Sequence, residues 1–533
     1  MDNLLKIEIL PEPKIEFGDH FVCDDPKMGI SIGGFFSKTT NSHRSELHYN
    51  VIGTNNNIED LKDWLKKFEN KIEATGEIQK IKDVAEIVDG EIEDYFEGIE
   101  DGTLFPELNR IPKRHSHEVV ESEEVIFNKK FNPDFPGLNE NGCFKCQFVN
   151  DEANNGKIKD RFLSKILEDT KKKGDVKITE VIDIFYKAYD KAIEKEISKI
   201  DVCFIVIPED VFKKLGSVKF GKSYLNFRRK LKAALIAHPK AIPVQLILES
   251  SIKGTKKSMQ DLSMTAWNFT VANYYKSGCI PWTLRVEDKE TCFIGISFHK
   301  LIDQKNNLMR SSIAQAFNFE GKGLIFVGKQ FEWNKNETKV SSPHLSYGYA
   351  KELIENVIKT YQDFNDNKKP SRVVIHKTTD FWDTAKHQTY CEVEGFQDGI
   401  RSILGDEVEI DLVTIKSSKI KLFREIGQYP VPRGTLLEID DVSGILYTTG
   451  YIPYYEMYPG VHMPRALSID IYDGDSTLRK ICNEILALSK MNFNNCNYYD
   501  SLPITIRFAK KVGEIIQYFP ADKTPPNKYF FYM

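Results

Sequence analysis

Between residues 211 and 240 the chain carries Lys213, Lys214, Lys219, Lys222, Arg228, Arg229, Lys230, Lys232 and Lys240, and no acid. Such a run is either a solvated face or a surface for phosphate. Within it Arg228 and Lys232 stand four apart in the helix-compatible stretch LNFRRKLKAALIAH. One helical turn would put both cationic heads on the same face, within reach of one anion. Residues 83–107 reverse the sign, from Asp83 to Glu107 with no Lys or Arg, and read as a solvated face. Cys143 and Cys146 form a CxxC, but a structural zinc site needs a second ligand pair, which the following residues do not offer. The nine cysteines, odd in number and scattered, read as reduced thiols rather than a disulfide framework.

The elements that would hold these residues are legible from about residue 200. DVCFIVIP (201–208) is a short buried-strand pattern, followed by the basic helix and then AIPVQLIL as a second strand. That alternation predicts an α/β layer with a largely parallel sheet. The helical stretch DLSMTAWNFTVANYYKSG comes next, and a new unit opens near residue 283. It reads as paired strands CFIGISFHK and KGLIFVGKQFEW, a helix over 347–364, the strand RVVIH, a helix over 392–404 and the strand EVEIDLVTI. Strands within 434–449 and 466–471 and helices over 478–490 and 505–518 complete it. Periodicity by itself leaves several α/β folds open. The first 150 residues, rich in Gly, Asn and Asp between short apolar runs, are the least readable.

Six strings carry a resemblance: IPVQLILES (242–250), AWNFTVANYYKSGCIPW (266–282), CFIGISFHK (292–300), VVIHKTT (373–379), VPRGT (431–435) and LPITIRFAKKVGEI (502–515). In order and spacing they resemble the MID and PIWI domains of Argonautes, closest to the short prokaryotic Argonautes, which lack N and PAZ domains. The resemblance implies a Rossmann-like MID domain, with the N-terminal segment, over residues 1–282, and an RNase H-like PIWI domain over 283–533. It implies that Arg228, Lys232, Gln245 and Lys276 hold the 5′ phosphate of a guide strand. Arg228 stands where the family more often has Tyr or His. Lys416, Lys419, Arg433 and Arg507 are implied as contacts to the nucleic-acid backbone. The apolar end TPPNKYFFYM makes the Met533 carboxylate a candidate oxygen ligand for a Mg²⁺ ion bound with the guide phosphate.

Argonautes that cut hold two metal ions with four acidic or imidazole side chains. At the matching positions this chain has Ser297, Thr378 and Lys510. A lysine repels metal ions, so the resemblance implies a protein that is not itself an enzyme. The expected activity is recognition of single-stranded DNA by a guide, expected to be RNA, without cleavage. The implied partner is a separately encoded APAZ protein carrying an effector, with a TIR NADase the first expectation and a SIR2 NADase or a nuclease the alternatives. Such systems defend prokaryotes against plasmids or phage. The competing reading is an active guide-directed RNase H-like endonuclease using another carboxylate set.

Composition agrees with a globular protein of two or three domains: 533 residues, 41% hydrophobic, 28% charged, net charge −5. No stretch reaches the apolar length a bilayer crossing needs. The opening MDNLLKIEILPEPKIEF has no signal-peptide pattern, so a cytoplasmic address and no membrane partner are expected.

Overall fold

The computed structural model describes residues 5–75, 128–139, 142–195, 199–221, 223–255, 260–285, 290–300, 308–318, 322–333, 338, 340, 342–427, 429–460, 463–520 and 522–533. The acidic stretch 83–107 lies outside them.

Two sheets carry most of the described chain. In the smaller one Val244–Leu248, Val202–Ile207, Glu46–Thr54 and Gln147–Asn150 lie side by side, and Gly156–Ile158 also pairs with Glu46–Thr54. Every one of these pairs is parallel. A parallel sheet must be covered on both faces, and VCFIVI is buried at all six positions of its strand. The basic helix follows as Phe227–Ile236, its first turn capped by the Asn226 side chain, which accepts from the Arg229 backbone N–H. Phe227, Leu231 and Leu235 turn into the core with Ile205 and Ile207, which leaves the cations on the other side. This is the Rossmann-like layer expected from the sequence.

The larger sheet has nine strands. At its centre Thr291–Lys300, Arg372–Lys377 and Glu409–Ser417 run parallel. Leu308–Asn318 and Lys322–Glu332 extend one side as an antiparallel meander. The other side continues antiparallel through Leu467–Asp473, Ser443–Leu446 and Thr435–Glu438. Three antiparallel strands leading into two parallel ones form the expected RNase H-like layer. One detail of the sequence reading is corrected: CFIGISFHK and KGLIFVGKQFEW do not pair with each other, because Leu308–Asn318 lies between them. Its sequence, LMRSSIAQAFN, interrupts the apolar alternation with Arg310, Ser311 and Ser312, so period-2 patterning hides it.

The ninth strand comes from the start of the chain. Lys6–Ile9 pairs antiparallel with Thr435–Glu438 and forms the edge of the large sheet. Thr283–Leu284 in turn joins Ile15–Glu16 and Val22–Cys23 in a small three-stranded sheet. Residues from both sides of position 282 therefore share these two sheets. Glu12 fastens the same segment: its carboxylate accepts from Arg433 Nε at 3.0 Å and from Lys490 Nζ at 2.7 Å.

The helix Ile504–Ile516 packs across the large sheet, and two glycines make the approach possible. A Cβ on Gly295 would lie 2.1 Å from the Thr505 carbonyl oxygen, and one on Gly513 would lie 1.8 Å from the His299 ring. No helix of the described residues is long and apolar enough to cross a membrane.

Candidate anion-binding cavity

Where the two sheets' helices meet, a cavity of about 410 Å³ opens. The N-terminal turn of Phe227–Ile236 supplies Asn226, Arg228, Arg229 and Lys232, and the adjacent strand supplies Gln245. The helix Ile504–Ile516 contributes Arg507, Lys510, Lys511 and Glu514 from the opposite wall, and Arg465, Tyr532 and Met533 close it. Seven basic side chains thus face one acidic side chain, and that one, Glu514, is held by Arg229 at 3.0 Å. A helix N-terminus adds its own positive end. The lining is built for an anion.

The buried members carry the argument. Lys232 is 7% exposed and Lys276, at the C-terminal end of the helix Leu262–Lys276, is 1% exposed. Lys276 Nζ donates to Gln245 Oε1, which fixes the amide between the two walls. Burial pushes Lys276 down to about 7, and the nearby Lys511 ammonium adds to the shift. Burial also pushes Lys232 well below its ordinary value, with Lys276, Lys511 and Arg228 adding repulsion. The charges that shift these two lysines are those of other cations. Burying an ammonium without a counter-charge is costly, and a bound dianion would offset that cost. Gln245 stands within the strand Val244–Leu248.

The four residues expected at a guide phosphate are therefore brought together: Arg228, Lys232 and Gln245 on the wall, with Lys276 behind Gln245. The four expected backbone contacts separate. Arg507 lines the cavity while donating to Asp500 through Nε at 3.0 Å. Lys416 is half exposed and ion-paired with Asp380, and Lys419 is exposed in the loop that follows the strand Glu409–Ser417. Arg433 departs from the expectation. It is 4% exposed, bound to Glu12, to the Thr448 and Leu486 carbonyl oxygens and to Ser489, so it serves the protein interior. The sequence reading missed Arg229, Arg465 and Lys511 as wall residues. Lys511 adjoins Lys510 in the string FAKK and was within reach, whereas nothing local marks Arg465.

The C-terminal residues tuck in as expected, with Tyr532 1% and Met533 6% exposed, and Met533 reaches the cavity wall. Met533, whose terminal carboxylate is the expected oxygen ligand for Mg²⁺, shares the lining with seven cations, while Glu514 is ion-paired with Arg229 and Gln245 Oε1 accepts from Lys276. Among the described residues no group of three or more His, Cys, Asp or Glu is placed to hold a metal ion. Cys143 and Cys146 carry free thiols on a loop, Cys146 buried.

The strand that carries Ser297 packs against the helix Ile504–Ile516. Ile296 and Lys377 are registered partners on adjacent parallel strands, and Ser297 and Thr378 follow them in the chain. Ser297 Oγ lies 2.8 Å from His299 Nε2, and His376 Nδ1 lies 2.8 Å from Thr505 Oγ1. Lys510 is on the helix between the two contact points, Thr505 and Gly513. Lys510 itself lines the cavity. Lys377 turns away, buried in an ion pair with Glu392.

A Piwi domain model matches residues 230–520, more than half of the chain. The chain belongs to the Piwi-domain family. No curated protein sequence matches it. Among solved structures, the Piwi fold here is similar to that of Clostridium butyricum Argonaute bound to a guide DNA with a 5′ deoxycytidine and a 19-mer target DNA. That match has a TM-score of 0.58 at 17% identity, covering 99% of this chain and 55% of that one. Drosophila Piwi matches with a TM-score of 0.55 at 11% identity, covering 98% of this chain and 56% of that one. A. aeolicus Argonaute matches with a TM-score of 0.51 at 14% identity, covering 98% and 55%. At such identities the likeness is one of fold. The chain spans about half the length of these structures.

Proposed function

We propose that this Piwi-domain protein is a short prokaryotic Argonaute that anchors the 5′ phosphate of a guide strand in its cation-lined cavity and pairs the guide with a single-stranded DNA target without cutting it. The observation that carries the reading is the pair Lys232 and Lys276, two buried lysines set at a cavity lined by further cations. A terminal phosphate dianion supplies the missing charge and accepts charge-assisted hydrogen bonds from both walls. The guide is RNA in this reading, and recognition passes through the shape and backbone of the paired duplex. The signal leaves through a cytoplasmic partner with an APAZ region and an effector, a TIR NADase first and a SIR2 NADase or nuclease otherwise, in defence against plasmids or phage.

The proton balance of the cavity gives one test. Lys276 titrates near 7 when the cavity holds no anion. A phosphate dianion favours the ammonium, so binding draws in a proton once the pH exceeds that value. The preference for a 5′-phosphorylated over a 5′-hydroxyl strand should therefore fall between pH 7 and about 9, approaching tenfold per pH unit. Below about pH 6 protonation of the phosphate itself reverses the trend. Fluorescence anisotropy across this range checks it, and a flat preference would remove Lys276 from the phosphate site.

The second test concerns Ser297, Thr378 and Lys510. A two-metal reaction needs anionic oxygen or imidazole ligands, and these side chains offer hydroxyls and a positive charge. Purified protein loaded with guide should leave a complementary DNA intact with Mg²⁺ or Mn²⁺ present. A guide-length product that disappears on mutating a carboxylate of this chain would establish the competing endonuclease reading.

A further inference from the structure

The loop after the strand Glu409–Ser417 starts at the cavity rim. Ser417 lines the cavity, and the Ser418 N–H donates to the Ala466 carbonyl, between the wall residues Arg465 and Leu467. From there the sequence reads KIKLFREI. Leu422 pins the loop: it packs against the cluster of Val431, Leu437, Ile445, Tyr447 and Ala466, and its N–H donates to Tyr447 Oη at 2.7 Å. The Arg424 guanidinium lies 5.9 Å from the Tyr451 ring centroid and braces it from the other side. With Leu422 held inward, its neighbours are held outward. Phe423 is 67% exposed and Ile426 85%, the latter the most exposed large apolar side chain among the described residues. Lys419 and Lys421 precede them and Arg424 lies between them, with Glu425 the one acid between Ser418 and Gly427.

A solvated loop has no use for two pinned, fully presented apolar side chains. Apolar or aromatic groups set between cations suit a strand whose phosphates and base faces alternate. Continuity with the cavity rim and the positive charge of both surfaces favour nucleic acid over a protein partner here.

We propose that Phe423 and Ile426 form a base-stacking contact for the strand whose 5′ end lies in the cavity, holding bases downstream of the terminal phosphate. This rests on the reading of the cavity as a 5′-phosphate site, and the experiment separates the two. Wild-type protein and the variant Phe423→Ala/Ile426→Ser would be titrated with a 5′-phosphorylated dinucleotide, a 5′-phosphorylated strand of about 16 nucleotides, and the same strand with abasic sites downstream of its first two bases. Both substitutions are on exposed side chains and leave the Leu422 anchor in place. The long strand should bind the variant about tenfold or more weakly, while the dinucleotide and the abasic strand bind both proteins alike. Equal binding of the normal long strand by both proteins would overturn the contact. So would equal losses with the normal and abasic strands, which would point to phosphates alone, or unaltered strand binding with a changed oligomeric state, which would mark a protein interface. A wild-type protein indifferent to the 5′ phosphate would overturn the cavity reading, while the normal and abasic strands still decide the stacking.

Discussion

Replacing Lys232 and Lys276 together by alanine should cost a 5′-phosphorylated guide at least about a hundredfold in affinity and a 5′-hydroxyl guide little. Lys232 lines the cavity and Lys276 stands behind Gln245 as a second charge; a charge-assisted hydrogen bond is worth about 1.5–3 kcal/mol, and about 1.4 kcal/mol is a factor of ten. The free protein also changes in a definite direction. Two lysines whose charged forms are disfavoured by burial are removed, so the variant should be as stable as the parent or more so, which separates a binding defect from a folding defect. Anisotropy with paired guides, alongside thermal unfolding, checks both halves. Equal weakening of both guides would make these lysines general backbone contacts.

Replacing Glu12 by glutamine should have the opposite signature, a large loss of stability with the cavity untouched. Its carboxylate, 22% exposed, joins Arg433 and Lys490, whose side chains are 1% and 0% exposed. Removing the shared partner of two buried cations leaves both uncompensated, at about 3–5 kcal/mol. The two cations hold the Glu12 carboxyl below its ordinary range. A depressed carboxylate contributes stability above its unfolded value, and that contribution is lost as pH falls through its folded value. The parent should therefore lose stability on acidification more steeply than Glu12→Gln. Urea unfolding at neutral and acid pH would show it, and identical pH profiles would remove Glu12 from the account.

What could be read from the sequence followed from local patterning. VCFIVI and the helices 347–364 and 392–404 announce themselves through apolar periodicity, and Arg228 with Lys232 through a four-residue spacing. The strand Leu308–Asn318 could not be seen that way, because serines break its alternation. Arg433 and Arg507 looked equivalent, each a cation in a matching string. Burial separated them, and burial depends on Glu12, more than four hundred residues upstream of Arg433 and silent in any local window. The cavity shows the same limit. One wall was legible from a helix, while the opposite wall needed the packing of Ile504–Ile516 to bring Lys511 and Arg465 into place. The strand Lys6–Ile9 had an apolar alternation but no sign of which sheet it would join.

That strand sets a timetable for biosynthesis. Lys6 and its partner Glu438 are 432 positions apart. A ribosome adding about 5–20 residues per second needs roughly half a minute or more to cover that distance. Until then the alternating apolar residues Leu5, Ile7 and Ile9 have emerged without their neighbour, a segment that invites pairing with other chains. The small parallel sheet, complete by residue 248, can assemble in the meantime. The edge of the large sheet closes only when translation is nearly over, so the first strand made is among the last to find its place.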